Sequence, residues 1–380
     1  MSEGTAVIYN PLTPHPWYQY MQEVAPVFYD GHMWNVFRYQ DVQRILLDPS
    51  TFSSQFDLGR GMENSMVNSD PPRHRQLRAL VTQQFTPRIV AQLEPRITEI
   101  THSLLTNVIP DGRMDIVDDL AHPLPTIVIA ELLGIPSENR TQFRQWSDAL
   151  LETNLQSEAE QQMRVAMTTY FQEVIEQRRR SPGSDLISAL LTAKIDGERL
   201  SEQDILGFCI LLLVAGNETT TTLIGNTMLC FDAYPEALEA VQANPSLLPT
   251  TLEEVLRYYS PIKILARVAT KDTEIGGMHI TAGQPVMPWL AAANCDEREF
   301  PEANRFNFRR TSNRHIAFGH GIHFCLGAPL ARLEAKIAFT VLLERMSEIK
   351  RIPDIPLEPI VDAGTQGIKH FHITFRSNNA

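Results

Sequence analysis

Residues 318–327 read FGHGIHFCLG, and APLARLEAKIAFTVLLERM follows from Ala328. Ten positions hold one cysteine, two histidines and three glycines. The segment behind them is a strong helix former, so Cys325 sits just before a helix N-terminus. Backbone N–H groups and the positive end of the dipole favour a thiolate there. Four roles compete for this cysteine besides that of a phosphate loop, which fails on spacing. A G-x-G-x-x-G pattern needs glycine at 324, and the chain has Phe324. Zinc has His315, His320, His323 and Cys325 as donors, but no paired C-x2-4-C spacing. A Cys–His nucleophile lacks any sign of an oxyanion hole. A lone cysteine in a glycine turn is by default a small buried hydrophobe. Haem–thiolate ligation is the fourth role. Glycines at 319, 321 and 327 let the chain turn tightly and approach a flat macrocycle. A cysteine thiolate pushes electron density through haem iron and favours O–O cleavage.

The rest of the chain limits the choice. With 380 residues, 43% hydrophobic and 21% charged, it has an ordinary globular composition. A net charge of -12 argues against nucleic-acid binding driven by overall charge. The start, MSEGTAVIYNPLTPHPWYQYM, lacks a basic segment followed by an apolar run. The apolar stretch ILGFCILLLVAG at 205–216 is too short to span a bilayer. Cys209, Cys230, Cys295 and Cys325 show no CxxC spacing and are expected as thiols in a cytoplasmic protein.

Apolar residues recur at helical spacing over roughly 72–85, 88–106, 138–151, 158–180, 202–233, 235–244, 247–259 and 328–346. Breakers such as SPGSD at 181–185 and ANPSL at 243–247 separate these segments. Strand-like pieces are few: PVFYD and MWNVFRY near the start, 266–288, and KHFHITF near the end. Arg178, Arg179 and Arg180 read as the basic end of a helix. The expected fold is mainly α with a minor β region, in one domain over 1–380.

The loop F-x-x-G-x-x-x-C-x-G, carried by Phe318, Gly321, Cys325 and Gly327, resembles the haem loop of the cytochrome P450 family. Other elements fall in that family's order, and the resemblance covers roughly residues 15 to 375. AGNETT at 215–220 crowds poor helix formers into an apolar helix, which suggests a local opening. It resembles the family's acid–alcohol pair. By that resemblance Glu218 belongs to a proton-delivery path and Thr219 steadies dioxygen through its hydroxyl or a held water. Ala215 and Gly216 lie against the haem, with Gly216 leaving room above it. Alternatively, the threonine hydroxyls bond back to their own helix.

EEVLR at 253–257 is ambiguous. On a helical wheel Leu252, Val255, Leu256 and Tyr259 share a face, and Glu254 and Arg257 lie opposite as an exposed i,i+3 pair. The resemblance instead implies a buried structural pair near the cysteine loop, with Arg305 of ANRF as third partner. It also implies that His74, Arg78, Arg267 and His323 hold the haem propionates, a task suited to arginine's planar fork.

The resemblance implies a bacterial, soluble monooxygenase with haem b between a long central helix and the cysteine loop, Cys325 being the iron ligand. It would hydroxylate an apolar small molecule such as a fatty acid, terpenoid or steroid. Electrons would come from NAD(P)H through a reductase and a ferredoxin or flavodoxin. A monomer without membrane anchor or nucleic-acid partner is expected. A peroxide-driven peroxygenase and a haem-binding sensor are the alternatives, and Glu218 and Thr219 argue against both. By family position the pocket is lined from 54–68, 149–175, 211–219, 262–266 and 364–368, including Met62, Met66, Ile264 and Leu265. Lys263 is unusual in such a lining. It either snorkels to solvent or pairs with a substrate carboxylate.

Overall fold

Helical periodicity in the sequence translates closely into helices. The segments near 158–180, 202–233, 235–244, 247–259 and 328–346 fold as Glu158–Arg180, Glu202–Ala233, Pro235–Ala243, Leu248–Tyr258 and Ala328–Arg345. The computed structural model describes residues 7–56, 65–136, 158–195, 198–361 and 364–378, with 139, 142, 143, 145 and 146. Most of the helix expected over 138–151 therefore lies outside the described residues. The stretch 88–106 divides into Pro87–Ala91 and Glu94–Val108, with a proline in the first turn of each. Periodicity missed His15–Val24, Tyr39–Leu47, Pro123–Leu132 and Leu186–Thr192. All four are short, and prolines open the first and third. Proline is a breaker inside a helix but is tolerated in the first turn, where its missing N–H costs nothing.

The chain forms two compact units. The first joins Met1–Ser54, Thr222–Cys325 and Lys350–His372. Its five-stranded sheet runs in the order Val27–Tyr29, Trp34–Val36, Pro285–Pro288, Arg267–Ala269, Phe52–Ser53. Pro285–Pro288 pairs parallel to Trp34–Val36, and the other pairings are antiparallel. Val36, Ile45, Phe52, Val286 and Ile316 pack one apolar core there. The hairpin Thr273–Ile275/Met278–Ile280 turns through Gly276 and Gly277, both at positive φ, as the twist of a two-residue turn requires.

The second unit joins Gln55–Thr221, Leu326–Ile349 and Ile373–Ala380. Ala328–Arg345 packs there against Glu94–Val108 and Pro87–Ala91. Glu158–Arg180 ends on its three arginines as expected. Arg178 is more than a dipole cap: its Nε donates to Asp185 Oδ2 at 2.5 Å and its Nη2 to the Gly134 carbonyl at 2.8 Å.

Glu202–Ala233 is one continuous helix of 32 residues, without the opening expected at 215–220. Side-chain partners offset the poor propensities. Thr219 and Thr227 donate to carbonyls one turn back, and Thr221 donates to Ala121 O at 3.1 Å. Asn226 Nδ2 donates to Tyr259 O and Gln366 O. The helix also exceeds the apolar stretch seen at 205–216. By length and composition it could cross a membrane, although half of its most apolar window is buried inside the protein.

Candidate functional site

Residues 318–325 of the cysteine loop belong to the first unit, and Leu326 and Gly327 to the second. Phe318 O accepts the Cys325 N–H at 2.8 Å, closing the loop on itself. Gly319 and Gly321 both take positive φ, at 72° and 71°. A Cβ on Gly321 would stand 2.7 Å from the carbonyl oxygen of Leu46, so only glycine fits. That close approach is to backbone of the same unit. Gly327 has φ -81° and simply caps the following helix. The structure thus gives two of the three glycines a turning role, and Gly321 a packing role as well.

Cys325 differs from the other cysteines. Cys209, Cys230 and Cys295 are buried, and Cys325 is partly exposed. Burial pushes the Cys295 thiol up to about 12 and raises those of Cys209 and Cys230 as well. Only Cys325 combines access with a position just ahead of a helix start.

Its neighbours are fixed firmly. Phe318 lies beside the rings of His315 and Phe324. His323 Nε2 and Ser54 Oγ are 2.9 Å apart. His315 Nε2 lies 3.0 Å from Glu253 Oε2. Among the described residues His315, His320, His323 and Cys325 do not gather as a metal cluster, so the zinc alternative loses its ligand set. Arg267 is buried at 7% exposure and donates to Ala266 O at 2.7 Å.

Glu254 and Arg257 are both fully buried, contrary to the helical wheel. Arg257 makes a bidentate pair, Nε to Oε2 at 2.9 Å and Nη2 to Oε1 at 2.8 Å. Its Nη1 donates to Asn294 O and Ala303 O. The third partner is Arg310, with Nε 3.0 Å from Glu254 Oε2. Arg305 points outward at 77% exposure and pairs with Glu302. The wheel fails because this helix has neighbours on both faces, the polar one being met by the 294–313 segment. Glu254 accepts from Asn307 N and Asn313 Nδ2, and Asn294 Oδ1 accepts from Ile316 N. The network therefore holds the segment that leads into the cysteine loop. Arg310 has no distinctive sequence signal beyond the basic pair Arg309–Arg310.

In the second unit, Ala215 is exposed, Gly216, Glu218 and Thr219 are half-buried, and Asn217 and Thr220 are buried. Thr219 Oγ1 donates to Ala215 O at 2.9 Å, the back-bonded alternative. The direction a side chain would take from Gly216 leads to Ile129, 2.8 Å from the Cβ position. Gly216 therefore leaves room for the Ile129 side chain of the helix Pro123–Leu132. His74 is buried at 2% exposure. Burial, with Arg78 adding to it, lowers its pKa. Arg78 is half-buried one turn further on.

Of the expected pocket lining, 57–64 with Met62, and 149–157, lie outside the described residues. Met66 is buried. Lys263 does not snorkel to solvent. It is 5% exposed, with Nζ 5.8 Å from the centre of the Tyr9 ring.

The donor chemistry suits a flat, anionic, iron-bearing group: one accessible thiol before a helix start, and a buried arginine in the same unit. Comparison with known proteins agrees. The family model described as Cytochrome P450 matches residues 24–163 and 149–356. The chain belongs to the cytochrome P450 family and is a monooxygenase of that haem-iron class. It is 43% identical over 380 residues to Cytochrome P450 109 of Bacillus spizizenii, covering 96% of this chain and 93% of that one. It is 38% identical over 371 residues to the erythromycin C-12 hydroxylase of Saccharopolyspora erythraea, covering 93% and 90%. The crystal structure of CYP109E1 from Bacillus megaterium in complex with testosterone matches with a TM-score of 0.89 and 40% identity, over 96% and 98% of the chains.

Proposed function

We propose that residues 1–380 work as a single cytochrome P450 domain that hydroxylates an apolar small molecule in the bacterial cytoplasm. The accessible Cys325 thiol, held by the closed glycine loop, is the observation that carries this. Haem b, when bound, supplies the reductive activation of O2 that puts one oxygen atom into a C–H bond and releases the other as water. Cys325 would hold the iron. Arg267, His323, His74 and Arg78 would take the propionates, and Phe318, Ala215 and Gly216 would lie against the macrocycle. Glu218 would deliver protons. Thr219 spends its own proton on Ala215 O, which leaves its oxygen lone pairs to accept from a water or substrate group.

A steroid is the substrate class we favour, since one relative of known structure holds testosterone. A fatty acid, a terpenoid or a macrolide such as that of the C-12 hydroxylase is the alternative. Electrons would come from NAD(P)H through a reductase and a ferredoxin or flavodoxin, docking on arginines and lysines near Cys325. The protein would act as a monomer.

The test is the visible spectrum of the purified protein, reduced with dithionite and exposed to carbon monoxide. A strongly red-shifted Soret band is expected. A haem band without that shift would favour a sensor with a neutral ligand, and no haem band would return Cys325 to thiol chemistry. Thr219→Ala should keep haem and substrate binding and divert most reducing equivalents to peroxide. Product per NAD(P)H at the parental level would remove Thr219 from proton handling. Turnover with hydrogen peroxide alone, as fast as with the redox chain, would identify a peroxygenase.

A further inference from the structure

The second unit holds a cavity of about 690 Å³. It lies among the helices Pro87–Ala91, Glu94–Val108 and Pro123–Leu132 and the 181–186 link. None of the residues assigned above to haem, proton delivery or the substrate pocket lines it. Ion pairs hold its walls apart. Arg96 grips Glu131 of the facing helix through two bonds, at 2.9 and 2.6 Å. Arg178 joins Asp185 and the Gly134 carbonyl. A planar fork locked onto its carboxylate resists collapse into the space between. A site shaped in advance loses little entropy when a ligand arrives.

The walls define what would bind. Arg96, Arg178, Glu131 and Asp185 are the charged residues among the described lining, and they pair off as two cations with two carboxylates. An ionic ligand would shed its water without gaining a counter-charge. Phe85, Ile97, Val128 and Leu186 give the cavity a buried apolar floor. Gln84, Gln92 and Ser184 also line it and are exposed, so amide and hydroxyl groups stand at its mouth. This combination selects an uncharged molecule with an apolar body and a hydroxyl or ketone at one end. Small-molecule sites span about 300–1,000 Å³, a range that admits a steroid-sized ligand here.

We propose that this cavity is a second binding site, for an uncharged steroid-sized molecule with an apolar body and one polar end, and that its occupant steadies the 215–221 turn. The helix Pro123–Leu132 is the connection. Its Val128, Glu131 and Leu132 line the cavity, and Ile129 between them packs at Gly216 of the long helix. Thr221 of the long helix donates to Ala121 O, just ahead of the same helix. Close-packed interiors yield little, so a helix braced on one face restrains what touches its other face. Any effect on turnover rests on the acid–alcohol reading above; the binding itself does not.

The test uses the haem-loaded protein with phenylimidazole on the iron, which closes the reaction pocket, and testosterone as the probe. Amide hydrogen exchange should slow over 84–97, 128–134 and 181–186, and to a smaller extent over 215–221. With the probe at about ten times its Kd, amides that must release it to open exchange about tenfold more slowly. Leu93 and Leu132 line the cavity and are half-buried. Leu93→Trp puts an indole into the space and should abolish the protection, and Leu132→Trp should do so from the facing helix. Far-UV circular dichroism of both variants should match the parent. No protection of the three lining segments up to the solubility of the steroid overturns the site. Protection that survives both substitutions in folded protein does the same. Protection of the lining with unchanged exchange over 215–221 overturns the link to the turn. Should Thr219→Ala leave product per NAD(P)H intact while the protection is present, the acid–alcohol reading fails and the second site stands.

Discussion

Cys325→Ser should abolish the red-shifted carbonyl band completely while leaving a folded protein. A serine hydroxyl stays neutral near neutral pH, so it cannot supply the charge density that a thiolate gives to iron. The loop should survive, because the bond that closes it runs from the backbone N–H of residue 325 to Phe318 O. Gly319, Gly321 and the Glu254 network are untouched by the change. Three control variants sharpen the result. Cys209→Ser, Cys230→Ser and Cys295→Ser should all retain the band, since those thiols are buried and burial raises their pKa. Far-UV circular dichroism beside the carbonyl difference spectrum separates loss of ligand from loss of fold. A folded Cys325→Ser protein with the full band would mean that another residue holds the iron.

Glu254→Ala should destabilise the first unit by about 3–5 kcal/mol, the usual cost of stripping one partner from a buried ion pair. Arg257 would keep its bonds to Asn294 O and Ala303 O but lose its counter-charge. Arg310, whose side chain is 8% exposed, would lose it too. Asn307 N and Asn313 Nδ2 would lose their acceptor, loosening the path to the cysteine loop. Lower haem retention should therefore accompany the lower urea midpoint. Arg305→Ala should change stability by less than about 0.5 kcal/mol, because its pair with Glu302 is solvent-exposed. Equal losses in the two variants would refute the assignment of Arg310 over Arg305.

The same two sites show what could be read without the fold. The sequence alone determined the helical class, most of the long helices to within a residue or two, some of the strand-bearing stretches and the single chemically suggestive cysteine, but not the strands Phe52–Ser53, Arg113–Asp115 and Met346–Arg351. These are local properties: periodicity, propensity and spacing act through near neighbours along the chain. The resemblance carried by Phe318, Gly321, Cys325 and Gly327 added the family, because a short loop with strict steric demands leaves a trace in the residues themselves.

Tertiary structure decided the rest. Glu254 and Arg257 look exposed on a wheel, since a wheel sees one helix and not the 294–313 segment that covers its polar face. Arg310 replaced Arg305 because the choice depends on which arginine the chain turns inward. Gly216 serves Ile129, and the threonine-rich turn of the long helix stays closed, because distant carbonyls and side chains satisfy what local propensity leaves open. The cavity beside Phe85 and Ile97 leaves no trace in the sequence, because distant segments supply its walls and pairs such as Arg96–Glu131 hold them. Only the packed chain creates such a space, since a cavity is a property of facing walls and not of any one segment.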